Sequence, residues 1–264
     1  MSARSETVLV LTRDGAHGAT REIAVETPVA IEVNGIGYAV LMATPDALGD
    51  LATGFLLTER LIDSDDDLLD LDPFETPSGW IVRATVAARC AGRIHDRVRH
   101  RTSETACGLC GVSGLEQVVR PVARPAPAPH VGVAALFAAL EAIRANQPLT
   151  ARTGALHAAA WCDDAGVVRV AREDVGRHNA LDKLIGACAG EEMAAGFLLV
   201  TSRISFEMVD KALVAGAALL VGISAPTALA VDRARAHGLS LIALARRDTM
   251  LVLNDPHHAF AARL

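Results

Sequence analysis

The residues most able to carry out chemistry are two cysteines in the segment Ala106-Cys-Gly-Leu-Cys-Gly-Val-Ser-Gly114. A Cys-x-x-Cys pair can form half of a zinc site, a redox-active dithiol or a site of sulfur transfer. Three glycines within seven residues favour a loop that a partner can approach closely. Residues 89–101 hold five arginines, which either stabilise a thiolate or form an exposed, solvated segment. The spacing alone leaves all three kinds of chemistry open.

Two zinc-dependent alternatives lack residues that they need. A structural zinc site normally has four ligands, and the sequence has no second Cys-x-x-Cys. A zinc deaminase needs His-x-Glu and Pro-Cys-x-x-Cys motifs. Here Ala106 precedes the cysteine pair, and neither His157 nor His178 has a glutamate two positions later. A nucleotide deaminase is therefore disfavoured.

Three polar segments in the second half each follow a predicted strand and precede a predicted helix. They are residues 174–179 (Asp-Val-Gly-Arg-His-Asn), 201–205 (Thr-Ser-Arg-Ile-Ser) and 224–227 (Ser-Ala-Pro-Thr). Each can be an ordinary helix cap, but backbone N–H groups at a helix start also bind anions. Arg177 and Arg203 favour a ligand that bears phosphate. His178 and Asp182 are one turn apart and can form a hydrogen bond, while His157 faces the same crevice or belongs to the core.

The remaining pattern predicts an α/β protein. Asn34-Gly35 between two apolar runs predicts a tight hairpin, residues 46–62 predict a helix, and the acidic residues 63–72 predict a loop or short helix. After residue 155, strands and helices alternate, which predicts a mostly parallel sheet with helices on both faces. The proline-rich residues 121–130 predict a linker between an N-terminal domain (1–120) with the cysteine loop and a second domain (131–264).

Composition excludes several classes of function. The net charge of -6 argues against general nucleic-acid binding. The uncharged window 212–231 is broken by glycines and Pro226, so no membrane span is predicted. Five cysteines without a secretory signal indicate a reducing compartment, and we predict a cytoplasmic protein. Cys90, Cys162 and Cys188 have apolar neighbours and are predicted to be buried.

Several segments together resemble the FdhD family, the formate dehydrogenase accessory sulfurtransferases. The resemblance runs from about Val29 onward, and its most specific part is the fifteen-residue block that begins at Arg172. The matching segments are residues 107–111 (Cys-Gly-Leu-Cys-Gly), 153–161 (Thr-Gly-Ala-Leu-His-Ala-Ala-Ala-Trp), 172–186 (Arg-Glu-Asp-Val-Gly-Arg-His-Asn-Ala-Leu-Asp-Lys-Leu-Ile-Gly), Ser202-Arg203 with Glu207-Met208-Val209, and 223–231 (Ile-Ser-Ala-Pro-Thr-Ala-Leu-Ala-Val).

The resemblance implies a C-terminal cytidine-deaminase-like α/β/α domain beside a smaller, strand-rich N-terminal domain. It implies a sulfurtransferase that receives sulfur from a cysteine desulfurase. The acceptor substrate is the molybdenum bis(molybdopterin guanine dinucleotide) cofactor, which is then inserted into formate dehydrogenase. A homodimer is expected, whereas a metal ion of the protein's own, nucleic acid and a membrane are not.

Carried onto this sequence, the resemblance implies that Cys107 holds a persulfide and that Cys110 assists or relays it. Residues expected to bind the cofactor are Arg177, His178, Thr201, Ser202, Arg203, Ser205, Ser224, Leu244, Ala245, Arg246, Arg247, Asp248 and Thr249. Leu244 stands where an aromatic residue is often seen. The competing hypothesis is a non-catalytic, cofactor-binding chaperone of formate dehydrogenase whose cysteine pair binds a metal or is redox-active.

Overall fold

The computed structural model describes residues 1–98 and 125–260, with only the backbone described for residues 95–98. The strands are β1 Ala3–Thr12, β2 Gly15–Ala24, β3 Thr27–Val33, β4 Ile36–Ala43, β5 Leu68–Thr76, β6 Gly79–Val86, β7 His157–Asp163, β8 Val168–Asp174, β9 Gly196–Val200, β10 Leu219–Gly222, β11 Ser240–Ala243 and β12 Leu251–Asn254. The helices are α1 Leu48–Thr58, α2 Ala91–Val98, α3 Val133–Ala142, α4 Pro148–Thr153, α5 Arg177–Ala187, α6 Phe206–Val214 and α7 Ala228–Ala236.

The N-terminal part is rich in strands, as predicted. A four-stranded sheet has the order β4-β3-β6-β5, and a separate hairpin joins β1 to β2. Asn34 and Gly35 have φ angles of 49° and 78°, which confirms the tight turn between β3 and β4. Alternate residues of β3 (Val29, Ile31, Val33) are fully buried in one core cluster with residues of α1, because successive side chains of a strand point to opposite faces.

Helix α1 crosses α5 at a contact between two glycines. A Cβ atom added at Gly54 would lie 1.8 Å from the carbonyl oxygen of Asp182, and one at Gly186 would lie 2.0 Å from that of Asp50. The two backbones therefore touch directly, and only glycine fits at either position. This crossing attaches the first helix to the C-terminal layers.

The larger sheet has the order β12-β11-β10-β9-β7-β8 and is mixed. The prediction of a mostly parallel sheet is wrong, since β7 is antiparallel to both β8 and β9, and β12 is antiparallel to β11. The reason is the connections: β7 and β8 form a hairpin, whereas β8, β9, β10 and β11 are joined through helices and run in one direction. The start of β7 and the carboxyl ends of these four strands consequently meet at one edge of the sheet.

Helices cover both faces of this sheet, which confirms the α/β/α layering. One core cluster joins a sheet face to α5, α6 and α7, and a second joins the opposite face to α3. The uncharged window 212–231 is divided among α6, β10 and α7. Within residues 1–98 and 125–260, no helix combines the length and apolar character that crossing a membrane requires.

Two features of the N-terminal part were not predicted. The hairpin of β1 and β2 was missed, and so was β5. Residues 63–72, predicted as a loop or short helix, contain a short 3-10 helix at Asp65–Asp67 and then the start of β5. The charged Asp70 and Asp72 are exposed on an edge strand, where acidic side chains cost little.

Within the predicted linker, Ala126 is buried and its N–H donates to the carbonyl of His237. The domain boundaries themselves stay a prediction.

Candidate functional site

The segments that follow β9, β10 and β11 are held together by backbone hydrogen bonds. The N–H of Ile204 donates to the carbonyl of Ala225 (3.2 Å), and the N–H of Thr227 donates to that of Ile204 (2.9 Å). The N–H of Leu244 donates to the carbonyl of Ser224 (3.3 Å). The predicted segments 201–205, 224–227 and 244–249 therefore lie side by side at the sheet edge where β7 begins.

The three helix starts at this edge differ in how they are capped. Thr227 accepts a hydrogen bond from the N–H of Ala230 through its hydroxyl, so α7 begins with an ordinary side-chain cap. The N-cap residues of α5 and α6, Gly176 and Ser205, make no such bond. The starts of α5 and α6 are thus the two that a ligand anion suits best.

Basic side chains converge between these two helix starts. Three hydrogen bonds between Ala158 and Thr201 place the neighbouring His157, at the start of β7, beside the 201–205 segment. Arg177 begins α5, and its Nε is buried without a hydrogen-bond partner among the described residues. Arg203 is exposed in the 201–205 segment. An anion is the ligand that this arrangement favours.

His178 lies deeper in the same cluster. Its Nε2 is 3.5 Å from the hydroxyl oxygen of Ser205 and 3.9 Å from the carboxylate of Glu207. Because both groups face one ring nitrogen, the three residues do not form a nucleophilic triad, in which the acid binds the other nitrogen. Burial, followed by the charges of Arg177 and Lys211, lowers the pKa of His178 to about 4, so the ring is neutral at pH 7.

The predicted hydrogen bond between His178 and Asp182 is not formed. Asp182 is buried and instead accepts from Lys211 Nζ (2.8 and 2.9 Å) and from the hydroxyl of Thr58 (2.8 Å). This network connects α5 to α6 and to the end of α1. Asp182 is therefore a structural residue. His178 belongs without it to the site at the starts of α5 and α6, hereafter the crevice, which consists of His157, Arg177, His178, Arg203 and Ser205.

Asp174, at the end of β8, fixes the start of α5. It is fully buried and accepts from the N–H of Gly176 (2.8 Å), from Asn179 Nδ2 (3.0 Å) and from the N–H of Thr44 (3.0 Å). Lys183, also fully buried, lies 2.7 Å from the same carboxylate and donates to the carbonyl of Thr44. This network was not predicted. The signal for it in the sequence was an acid just before a predicted helix and a lysine nine positions later, within that helix.

The last predicted segment, residues 244–249, forms a turn in which the N–H of Arg246 donates to the carbonyl of Thr249 (2.8 Å). Arg246 Nη1 also donates to the carbonyl oxygens of Ile223 and Ala245, which ties this turn to the end of β10. The side chain of Ala245 is buried in the core. The exposed members of this predicted set are Arg246, Arg247, Asp248 and Thr249.

The predicted catalytic pair, Cys107 and Cys110, lies outside the described residues. The other three cysteines are free and buried, as predicted. Burial and the nearby charge of Asp163 raise the pKa of Cys162 to about 12, and burial raises that of Cys188 to about 11. Burial and a hydrogen bond with Asp67 raise the pKa of Cys90. None of these three thiols has the thiolate character that sulfur exchange requires.

The pKa of His178 leads to a prediction about stability. The folded state binds a proton at His178 only near pH 4, whereas an unfolded histidine does so near pH 6.5, so this residue destabilises the fold as the pH falls between these values. We expect a contribution of about 2 kcal/mol between pH 7.5 and pH 5. Urea unfolding of the wild type and of His178→Gln at both pH values measures it: the variant is expected to lose less stability on acidification, and equal losses would contradict the assignment.

The model of the FdhD/NarQ family matches residues 24–260. The sulfur carrier protein FdhD of Bordetella parapertussis is 42% identical over 97% of this chain and 94% of its own length. The protein of the same name from Xanthomonas campestris pv. campestris is 44% identical over 89% of this chain and 84% of its own length.

A solved structure has the same fold. It is described as a formate dehydrogenase accessory protein from Desulfotalea psychrophila, with a TM-score of 0.74 and 21% identity. The match covers 97% of this chain and 99% of the other. The range matched by the family model, residues 24–260, includes the cysteine pair and the sheet-edge segments. The chain therefore belongs to the FdhD/NarQ family.

Proposed function

We propose that this protein is a sulfur carrier that holds a persulfide on Cys107 and delivers its sulfur to a molybdenum bis(molybdopterin guanine dinucleotide) cofactor for formate dehydrogenase. The carrier role is supported by the names of relatives that are 42–44% identical over most of the chain. The observation that carries the choice of acceptor is the crevice between the starts of α5 and α6, where Arg177 and Arg203 offer positive charge to a phosphate-bearing molecule.

Thiol exchange supplies the chemistry. A cysteine desulfurase provides a persulfide, and the thiolate of Cys107 attacks its outer sulfur. The new bond forms between Cys107 and that sulfur, the sulfur–sulfur bond of the donor breaks, and the donor leaves as a thiolate. Cys110 assists or takes the sulfur onward by the same exchange. Because thiolates are needed throughout, we place this function in the cytoplasm, where thiols stay reduced.

Docking of the cofactor is assigned to the sheet edge. The pyrophosphate of the guanine dinucleotide suits Arg177 and Arg203, because guanidinium groups pair well with phosphate oxygens. The neighbouring turn 246–249 exposes two arginines, an aspartate and a threonine, which can donate hydrogen bonds to the guanine end and accept them from it. Thr201 is already engaged in hydrogen bonds to Ala158, so its role is to shape the segment.

A chaperone that binds the cofactor without transferring sulfur is the second candidate. The basic site at the starts of α5 and α6 favours it in one respect, since binding a phosphate-bearing cofactor there needs no transfer of sulfur. In that case the Cys-x-x-Cys pair would bind a metal or be redox-active. Stoichiometric zinc in the purified protein would support the chaperone.

Intact-mass measurement after incubation with a cysteine desulfurase and cysteine tests the carrier role. We expect the wild type to gain the mass of one sulfur, removable by a thiol reductant, and Cys107→Ala to gain none. Cys110→Ala is expected to retain the gain if that residue only relays sulfur. Cys188→Ala is the matched control, because its buried thiol should not contribute. No gain in any form would contradict sulfur transfer and favour the chaperone.

A further inference from the structure

His157 belongs to the crevice, and neither sulfur transfer nor phosphate pairing as described above uses its imidazole. It begins β7 and pairs in register with Asp174 of β8, whose carboxylate is engaged by Lys183. Its other charged and titratable neighbours are Arg177 and His178 at the start of α5 and Arg203 after β9. The half-buried imidazole is thus held next to the 201–205 segment by the bonds of Ala158 to Thr201, within electrostatic reach of two guanidinium groups and a second imidazole.

These surroundings disfavour a protonated imidazole at His157. Burial and then the charges of Arg177 and Arg203 lower the pKa of His157, while only Asp174 opposes this effect. The balance changes when an anion enters, because a phosphate group offsets the two guanidinium charges and accepts a hydrogen bond from a protonated ring. The same anion that binds the arginines therefore favours the charged form of His157.

His178 is less suited to take up this proton. Its pKa of about 4 reflects deep burial and the charges of Arg177 and Lys211, with only Glu207 in opposition. Bringing that pKa to 7 would require an anion that prefers the protonated form by about a thousandfold. His178 therefore stays neutral near pH 7, with its Nε2 facing Ser205.

We propose that His157 is a ligand-binding residue and that the entry of the cofactor's pyrophosphate between Arg177 and Arg203 is coupled to the uptake of one proton by its imidazole. This inference rests on the proposed docking of a guanine dinucleotide at the sheet edge. The proton comes from solvent and goes to a ring nitrogen, and no covalent bond changes. Because binding consumes a proton, the cofactor is held more tightly as the pH falls.

The probe for this coupling is diguanosine diphosphate, two guanosines joined by a pyrophosphate. Its bridging phosphates have no terminal hydroxyl that titrates near neutrality, so any proton taken up belongs to the protein. Isothermal titration calorimetry at pH 6.5, in buffers with different ionisation enthalpies, gives the number of protons bound per ligand. For the wild type we expect uptake of between about 0.5 and 1 proton per ligand bound, and an affinity about tenfold higher at pH 5.5 than at pH 7.5.

Two variants of the full chain locate the proton. His157→Gln keeps hydrogen-bonding groups but cannot be charged, and we expect uptake near zero and an affinity that changes less than about twofold across this pH range. His237→Gln is the matched control, because His237 also has a pKa lowered by burial but lies at the end of α7. It is expected to behave like the wild type.

The outcomes separate the two proposals. Binding without proton uptake would overturn the role of His157 and leave cofactor docking intact, and uptake that survives in His157→Gln would do the same. No binding by the wild type would contradict docking and the coupling together. Should His157→Gln fail to fold, the exposed Arg203→Gln serves instead. Arg203 opposes protonation of His157, so its removal should move the pH range in which ligand binding takes up a proton to higher pH. An unchanged pH range would overturn the proposal.

Discussion

Gly186→Ala is expected to lower the free energy of unfolding by about 3 kcal/mol or more. This loss is at or above the upper end of the range usual when a larger side chain is forced into a packed core. The added Cβ would lie 2.0 Å from the carbonyl oxygen of Asp50, which is backbone and cannot rotate away. Helices α1 and α5 would have to separate, and the buried bonds of Asp182 to Thr58 and Lys211 lie on the same contact. Thermal unfolding should show a midpoint lower by about 6 °C or more.

A glycine of the same helix pair provides the control. A Cβ at Gly49 in α1 would meet only a side-chain carbon of Leu71, at 3.4 Å, and alanine is the better helix former. We expect Gly49→Ala to be neutral or to stabilise the protein by up to about 1 kcal/mol. Gly54→Ala should resemble Gly186→Ala, since the two glycines face each other. Equal midpoints for Gly186→Ala and Gly49→Ala would show that the helices are not in backbone contact.

Lys183→Met is expected to lower the free energy of unfolding by about 3–5 kcal/mol, because it leaves the carboxylate of Asp174 buried without its cation. Methionine has a similar length, so the loss reflects charge rather than a cavity. The variant should also bind the cofactor probe more weakly, since Asp174 holds the N–H of Gly176 and the side chain of Asn179 at the start of α5. Urea unfolding and calorimetry measure the two effects.

Two comparisons make this result interpretable. Arg152→Met breaks the exposed ion pair between Arg152 and Glu22 and should change the stability little, because solvent screens such a pair. The double variant Asp174→Asn with Lys183→Met removes both charges, and we expect it to be more stable than Lys183→Met alone. If Lys183→Met costs no more than Arg152→Met, the buried pair does not support the start of α5.

The same contacts explain how the N-terminal part bears on the crevice. Thr44, directly after β4, donates its backbone N–H to Asp174 and accepts from Lys183 at its carbonyl. Asn179 donates to the carbonyl of Met42 in β4. The start of α5, which carries Arg177 and His178, is therefore held jointly by both parts of the chain. A change in the first sheet that moved the end of β4 would alter the anion site without touching it.

Much of this molecule is determined locally and was predicted from the sequence. The turn at Asn34-Gly35 needs two positive φ angles, which these residues adopt at little cost. The alternation of apolar runs with Gly- and Ser-rich breaks predicted β7 to β11 and helices α5 to α7. It also placed residues 174–179 and 201–205 at helix starts, because caps and turns depend on neighbours within one turn of chain.

Other features depended on contacts between distant residues, and only the tertiary structure decided them. The direction of β7, the contact between Gly54 and Gly186, and the bonds of Thr44 to Asp174 and Lys183 join positions that no local pattern relates. The partner of Asp182 is of this kind: the sequence suggested His178, one turn away, whereas packing of α6 supplied Lys211. Burial among cations likewise fixes His157 and His178 as neutral, since a pKa follows the surroundings that folding assembles and not the identity of adjacent residues.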